Sequence, residues 1–172
     1  EALQPDARTL VEVGDGGRYF GLDQVLSETG LVGAGPLVPT LEIADGRAGR
    51  VVLCARVEPG EEVLIAFIHS VNRRPVHDTL RAEMDHLVIV KSRFDAFGAG
   101  MPEASTPEGT LAVAPDGWLE WTVNRPVPEV TIRVGRVADH TLHLKGREIR
   151  LSDLSEPGSA LTFRVRKARW FD

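Results

Sequence analysis

A histidine and an aspartate on two neighbouring apolar runs, His69 and Asp78, are the residues best placed to do chemistry. Residues 63–68 form an unbroken apolar run whose length and β-branched content are typical of a buried strand. Residues 76–85 alternate between apolar and polar, which predicts a half-buried strand, and Asp78 falls on its apolar side. A hairpin that pairs the two apolar sides predicts that His69 lies opposite Asp78, or opposite Val76 with Asp78 as its diagonal neighbour.

Such an acid and base support two interpretations. The pair is either a buried hydrogen-bonded contact that fixes the register of the hairpin or the acid–base pair of a small hydrolase or isomerase. Ser70 adds no nucleophile, because neighbouring residues in a strand point to opposite faces and His69 cannot then serve Ser70 as a base. In the loop that follows, Arg73 and Arg74 could form bidentate hydrogen bonds to a carboxylate, or they could be solvated loop charges.

A second candidate lies in the loop that contains Gly98, Ala99 and Gly100. This loop neither follows a nucleotide-binding strand nor opens a helix, so it does not match a phosphate-binding motif. Its two glycines allow backbone amides to face an anion, and they equally allow a turn with positive φ. Gly98 and Gly100 therefore join the candidate binding residues without defining a ligand.

The histidines and the cysteine give no sign of a metal centre. The five histidines include no pair at the spacing of helical metal ligands, and a zinc site needs three or four converging ligands. The single cysteine, Cys54, lies in a largely apolar run and is predicted to be a small buried residue, with no partner for an internal disulfide. The sequence thus predicts neither a metal nor a cofactor.

Composition excludes several classes of function. The chain has 172 residues, of which 42% are hydrophobic and 26% charged, as expected for a globular protein with a core. Its formal net charge of -5 and its aromatic content of 6% argue against nucleic-acid binding, which needs a basic surface and stacking side chains. No apolar run has the length of a membrane-spanning helix.

From Leu41 onward, short apolar or alternating segments follow one another with turn residues between them. Several of these segments have one apolar and one polar face, such as residues 130–134 and 161–165. Alternation of this kind is typical of antiparallel sheets with one face towards water. The pattern predicts an all-β fold, an antiparallel β-sandwich or partly closed barrel of about ten short strands.

Residues 1–40 differ in character from the rest of the chain. Residues 9–13 are a candidate short strand, residues 22–29 are a candidate helix, and residues 33–39 have the composition of a linker. We therefore expect an N-terminal appendage and linker over residues 1–40 and a β-domain over residues 41–172.

Three motifs, in this order, give the chain a resemblance to a known family. They are an HSV motif, a PV pair and a GAG-x-P motif, formed by His69, Ser70 and Val71, by Pro75 and Val76, and by Gly98, Ala99, Gly100 and Pro102. The chain resembles, over residues 41–166, the bacterial and archaeal family called domain of unknown function eighteen-fifty. The family pattern usually has Glu where this chain has Asp78, and residues 1–40 have no counterpart in it.

The resemblance implies a location and a partner rather than an activity. Members of the family typically begin with a signal or membrane-anchoring segment. They are encoded beside tripartite ATP-independent periplasmic (TRAP) transporters of the TAXI-binding-protein type, and no enzymatic activity attaches to them. The resemblance implies a non-enzymatic extracytoplasmic accessory protein, periplasmic or membrane-anchored and facing outward. Its expected partners are the membrane subunits or solute-binding protein of the transporter, or the solute, for which a small anion is one candidate.

The predicted contact surface of such a protein consists of His69, Ser70, Arg73, Arg74, Asp78, Gly98 and Gly100. The alternative function is that of a small hydrolase or isomerase that uses His69 and Asp78. An enzyme needs a concave pocket at these residues, whereas a docking surface can be open.

Overall fold

The computed structural model describes residues 11–13, 18–20 and 36–171, and the surroundings of the side chains from residue 36 to residue 169. Within these residues nearly all the regular structure is β-strand. Alternation of apolar and polar residues gives most strands one buried face: Leu161, Phe163 and Val165 are buried, while the residues between them are partly exposed.

The strands are numbered along the chain. They are β1 (Val11–Val13), β2 (Arg18–Phe20), β3 (Leu37–Asp45), β4 (Arg50–Arg56), β5 (Glu62–Ile68), β6 (Pro75–Ala82), β7 (Leu87–Phe94), β8 (Thr110–Val113), β9 (Leu119–Val127), β10 (Glu129–Arg133), β11 (Thr141–Leu144), β12 (Arg147–Arg150) and β13 (Ala160–Phe171). A single helical turn, α1 (Leu151–Leu154), follows β12. Within the described ranges, no helix has the length and hydropathy needed to span a bilayer.

The strands form two sheets. Sheet A has six strands in the order β1-β4-β3-β13-β10, with β2 also paired to β13. Sheet B has seven strands in the order β12-β11-β5-β6-β7-β9-β8. The pairings are antiparallel except for β1 with β4, which run parallel. Each sheet ends in edge strands, so the predicted all-β antiparallel fold is confirmed as a sandwich, and the structure is not a closed barrel.

The hydrophobic core lies between the two sheets. It contains buried side chains from both, chiefly Leu41, Ile43, Leu53 and Phe163 from sheet A and Val63, Ile65, Leu80 and Leu142 from sheet B. Full burial of one such side chain contributes about 1.5–3 kcal/mol, which makes this layer the main source of stability. Cys54 is also fully buried, as the sequence predicts.

Two segments before residue 41 belong to sheet A. The predicted strand at residues 9–13 is found as β1, and β2 pairs with the end of β13. The linker prediction is wrong for residues 37–39, because β3 already begins at Leu37, and the Pro39 carbonyl accepts a hydrogen bond from the amide of Val57. The predicted helix at residues 22–29 lies outside the described residues. The division into an appendage and a β-domain stays a prediction.

Candidate functional site

The hairpin of β5 and β6 has a different register from the one that the apolar phases predict. Ile65 lies opposite Asp78, and the last pair joins Ile68 to Pro75. His69 lies beyond this pair, where its amide donates to the Arg74 carbonyl at 2.8 Å. The prediction that His69 faces Asp78 or Val76 across the hairpin is therefore wrong. The register differs because hydrogen bonds within the loop end both strands before His69 can pair with the opposite strand.

Asp78 nevertheless lies on the apolar side of its strand, as its phase predicts. The pairs Val63 with Leu80 and Ile65 with Asp78 place their side chains on one face of sheet B. At the Val63 end this face contacts sheet A in the core. Towards Asp78 and Phe67 the same face lines an open pocket of about 560 Å³.

The pocket has a floor and two walls. Its floor comes from four adjacent strands of sheet B and consists of Phe67, Val76, Asp78, Ser92 and Trp121. One wall is the loop at Gly100, Met101 and Pro102, and the other is the segment before β11 with Ala138 and His140. The end of β5 and the start of its loop close the pocket with Ile68, His69 and Ser70.

Four of the seven predicted site residues line this one pocket. They are His69, Ser70, Asp78 and Gly100. The other three, Arg73, Arg74 and Gly98, lie outside its lining. The pocket thus brings His69 and Asp78 to one cavity although the hairpin does not pair them.

The Asp78 carboxyl is the acidic group on the pocket floor. Burial raises its pKa above the ordinary value of 3.8, because low polarity disfavours the charged form. A hydrogen bond from Ser92, directly opposite on β7, and the charge of His77 oppose this effect only in part. Asp78 therefore takes up a proton at a higher pH than an exposed aspartate.

His140 is a pocket residue that the sequence alone does not single out among the five histidines. Its ring packs on Phe67 with the ring centroids 5.0 Å apart. Its Nδ1 atom is buried and has no hydrogen-bond partner within the part of the chain that the structure describes. Burial lowers the pKa of His140, partly opposed by the charge of Asp139, so the imidazole is neutral at neutral pH.

His69 closes the pocket with a ring whose orientation the loop fixes. Its Nδ1 accepts hydrogen bonds from the amides of Val71 at 3.3 Å and Asn72 at 3.5 Å. In a neutral imidazole with Nδ1 as acceptor, the proton lies on Nε2, which leaves an N–H donor for a ligand.

Ser92 and Trp121 are two floor residues that the sequence analysis missed. Ser92 follows Val90 and precedes Phe94 at alternate positions, so it occupies the apolar phase of β7 as Asp78 does in β6. That phase was the available signal. Trp121 carries no comparable signal, because an aromatic residue on a strand most often serves the core.

The loop of the GAG-x-P motif is locked to the loop of the HSV motif. Asn72 donates from Nδ2 to the Phe97 carbonyl at 3.2 Å, and its Oδ1 accepts from the Arg74 amide at 3.1 Å. A Cβ added at Gly98 would lie 2.5 Å from Asn72 Nδ2, so any larger residue there requires the Asn72 side chain to move. Gly100 has a φ of 83°, the positive value expected for a turn glycine.

The two arginines of the predicted carboxylate clamp lie elsewhere. Arg74 donates from Nε to Asp95 Oδ1 at 3.0 Å and makes a second, shorter contact to Oδ2. Arg73 is exposed and has a left-handed φ of 57°. Arg74 thus fastens the loop to the end of β7 instead of pointing a charge at the pocket.

The opposite face of sheet B carries a polar cluster. The His77 ring stacks on Trp118 with a centroid distance of 5.0 Å, and Arg93 lies 5.5 Å over the same indole. Arg93 also bonds Asp116 at 2.6 Å, and Lys91 bonds Glu120 at 3.0 Å. The charges of Arg93 and Lys91 are thus paired with acidic side chains, while the Arg93 Nε atom is buried without a hydrogen-bond partner among the described residues. No group of three or more metal-ligating side chains occurs among the described residues.

Comparison with known proteins gives one result. The family model of a domain of unknown function, DUF1850, matches residues 63–151, which is more than half of the chain. The chain belongs to the DUF1850 family. No curated protein and no solved structure matches it.

The DUF1850 segment contains nearly all of sheet B and its pocket, together with one strand of sheet A, β10. It runs from the start of β5 to the end of β12, and every lining residue of the pocket lies inside it. A larger cavity of about 640 Å³ at Asp45 has none of its lining residues in that segment. The Asp45 carboxylate there already accepts hydrogen bonds from Ser155 and from two backbone amides. The pocket on sheet B is therefore the better candidate for a site common to the family.

Proposed function

We propose that this DUF1850 protein is a non-enzymatic binding protein whose pocket on sheet B holds a small solute. The observation that carries the binding part of the proposal is the pocket itself, an open cavity of about 560 Å³ that lies wholly within the family segment. The non-enzymatic part rests on the family resemblance, to which no enzymatic activity attaches. Apolar side chains with a few converging polar groups are the usual composition of a small-molecule site.

The proposal extends to a biological setting. The protein serves as an extracytoplasmic accessory of a TAXI-type TRAP transporter, and it binds the transporter or its solute. This part rests on the resemblance carried by the HSV, PV and GAG-x-P motifs, since family members are encoded beside such transporters. All three motifs contribute to the pocket lining, through His69 and Ser70, through Val76, and through Gly100 and Pro102.

The fixed walls of the pocket favour binding. Asn72 joins the two loops through Phe97, and Arg74 joins the first loop to Asp95. A site that is ordered before its ligand arrives loses little conformational entropy on binding. The pocket therefore needs no large rearrangement to hold a solute.

Co-purification tests the transporter part of the proposal. The full-length tagged protein is expressed together with its neighbouring transporter genes and purified from mild detergent. We expect the membrane subunits or the solute-binding protein to co-purify, and an unrelated membrane protein of similar abundance serves as the control. Recovery of the tagged protein alone, under conditions that keep the transporter intact, would contradict this part.

A small hydrolase or isomerase is the second candidate, and one observation favours it. His140, held neutral by burial, lines the same cavity as Asp78, whose pKa is raised. Two titratable groups with opposite shifts are a common arrangement for acid–base chemistry. Turnover of any ester, lactone or keto acid that Asp78→Asn abolishes would establish catalysis and displace the binding proposal.

A further inference from the structure

The charges around the pocket are unbalanced. Its titratable side chains are Asp78, His69 and His140, and none of its lining residues is Lys or Arg. Arg74 bonds to Asp95 instead. His140 is neutral at neutral pH because burial lowers its pKa. The carboxyl group of Asp78 therefore faces a cavity whose lining contains no Lys or Arg and whose other titratable side chains are the two histidines.

Asp78 also lies in surroundings that disfavour its charge. On one side it faces Ile65 and on the other Ser92. His77, whose charge interaction favours ionisation, belongs to the opposite face of β6. A carboxylate has two oxygens and about four acceptor positions, so one hydroxyl leaves most of its capacity for a ligand.

The rest of the floor suits the apolar part of a small molecule. Phe67 and Trp121 line it with aromatic rings, and Val76 and Met101 add aliphatic and thioether surface. Aromatic faces attract organic cations as well as apolar groups, because the face of the ring carries partial negative charge. A carboxylate beside aromatic walls is the combination that recognises amines.

We infer that the pocket binds a small organic ammonium compound, with the ammonium group on Asp78 and the apolar body against Trp121 and Phe67. The inference rests on the proposed function, since it names the class of solute that the same pocket takes. An ammonium group donates hydrogen bonds to the carboxylate and supplies the positive charge that the lining lacks. Binding thereby removes the cost of a buried, unpaired charge.

A solute with a single carboxylate is the opposite case. It would bring a second negative charge towards Asp78, and like charges in a partly buried site repel each other. The arginines that a small anion would need, Arg73 and Arg74, do not line the pocket. The structure thus favours a cation over the anion that the sequence suggests.

Three probes with one carbon skeleton test the head group. Phenylethylamine, phenylethanol and phenylacetate present an ammonium, a hydroxyl and a carboxylate on the same apolar body. Each is titrated at neutral pH into the ¹⁵N-labelled protein, and dissociation constants are taken from the shifts of amides on the pocket floor. We expect the amine to bind about tenfold or more tightly than the alcohol, and the carboxylate to bind most weakly.

Two matched variants assign the effect to one carboxylate. Asp78→Asn keeps the shape of the side chain and removes its charge, and it should bring the affinity for the amine down to that for the alcohol. Glu103→Gln removes an exposed charge from the residue that follows Pro102, outside the lining, and should leave all three affinities unchanged. Amide spectra of both variants check that the fold is intact.

The outcomes separate the inference from the function on which it rests. If the alcohol or the carboxylate binds the pocket as tightly as the amine, or Asp78→Asn leaves amine binding unchanged, the ammonium inference is overturned and the binding function stands. If none of the three probes shifts the amides of the floor at millimolar concentration, both are overturned.

Discussion

Asp78 is a partly buried acidic residue that lines the pocket, and burial raises its pKa. Its position on the apolar side of β6 was readable from the sequence, because side chains alternate between faces with a period of two. Its partners were not readable. Ile65 and Ser92 come from two other strands, and the residues opposite a strand depend on the loops that join it to its neighbours.

Replacement of Asp78 by Asn should stabilise the unliganded protein at neutral pH. Burial raises the pKa of Asp78, so the folded protein binds its proton more tightly than the unfolded chain does. The resulting loss of folding free energy sets in as the pH rises above 3.8, and it is complete above the folded-state pKa. Asn carries no charge and avoids this loss. The measurement is urea denaturation of both proteins at neutral pH and below pH 3.8.

We expect Asp78→Asn to have the higher free energy of unfolding at neutral pH. The difference should disappear at the acidic pH, where the side chain at position 78 is neutral in both the wild type and the variant. A variant that is destabilised equally at both pH values would show instead that the Asp78 side chain makes a favourable contact in the folded state that does not depend on its charge.

A substitution at Gly98 tests the hydrogen bond by which Asn72 joins the two loops. An alanine there would place its Cβ 2.5 Å from Asn72 Nδ2 and push that side chain off the Phe97 carbonyl. We expect Gly98→Ala to lower the free energy of unfolding by about 1–3 kcal/mol, through overpacking and a lost hydrogen bond. In an Asn72→Ala background the same change should be nearly neutral. Equal losses in both backgrounds, measured by urea denaturation, would mean that Asn72 is not the residue that excludes a side chain.

At the scale of elements, periodicity predicted the strands and the loops decided the register. The apolar run before His69 and the alternation around Asp78 gave β5 and β6, since both signals are local. The register depends on hydrogen bonds such as that of Asn72 with Phe97, which lies 25 residues away in sequence. Contacts over that distance leave no periodic signal. For this reason the predicted register put His69 opposite Asp78 or Val76, whereas the strand pairing ends at Ile68 and Pro75.

Two central strands of sheet A are joined by a buried ion pair. Arg164 on β13 donates from Nε to Glu42 on β3 at 2.9 Å, and the Glu42 side chain is only 3% exposed. Arg166 lies farther away, at 3.8 Å. Arg164→Leu should lower the free energy of unfolding by about 2–4 kcal/mol, because Glu42 stays buried with its nearest partner removed.

Arg47 provides the matched control for that substitution. It pairs with Glu156 at 3.2 Å, but the two side chains are 71% and 80% exposed. Arg47→Leu should therefore change the free energy of unfolding by less than about 1 kcal/mol. Comparable losses for the two variants, measured under the same denaturant conditions, would argue against a special role for burial at Glu42.

At the scale of the whole molecule, sheet B carries the pocket and sheet A supplies the opposing layer. Short strands separated by turn residues were enough to predict this class of fold, but they could not choose between a sandwich and a barrel. That choice depends on whether the edge strands pair with each other. In the described structure β8 and β12 end one sheet and β1 and β10 end the other.

Deletion of residues 1–36 should leave a β-domain that still unfolds cooperatively but melts at a lower temperature. The identified core residues all lie between Leu41 and Val165, so the inter-sheet layer is kept. The deletion removes the pairings of β1 with β4 and of β2 with β13, which accounts for the lower melting temperature. Circular dichroism during a thermal melt measures both effects. Loss of the β-sheet signal at low temperature would show that the first residues are required for folding.

The most direct test of a binding pocket on sheet B is an amide-shift titration with the small-molecule fraction of the cells that produce the protein. The wild-type protein is compared with Ser92→Trp, which fills the floor, and with Ser152→Trp, which adds the same bulk at an exposed position on α1. We predict shifts at Asp78, Ser92 and Trp121 in the wild type and in Ser152→Trp, and none in Ser92→Trp. Shifts that map instead to the opposite face, around His77 and Trp118, or that survive in Ser92→Trp, would contradict the account.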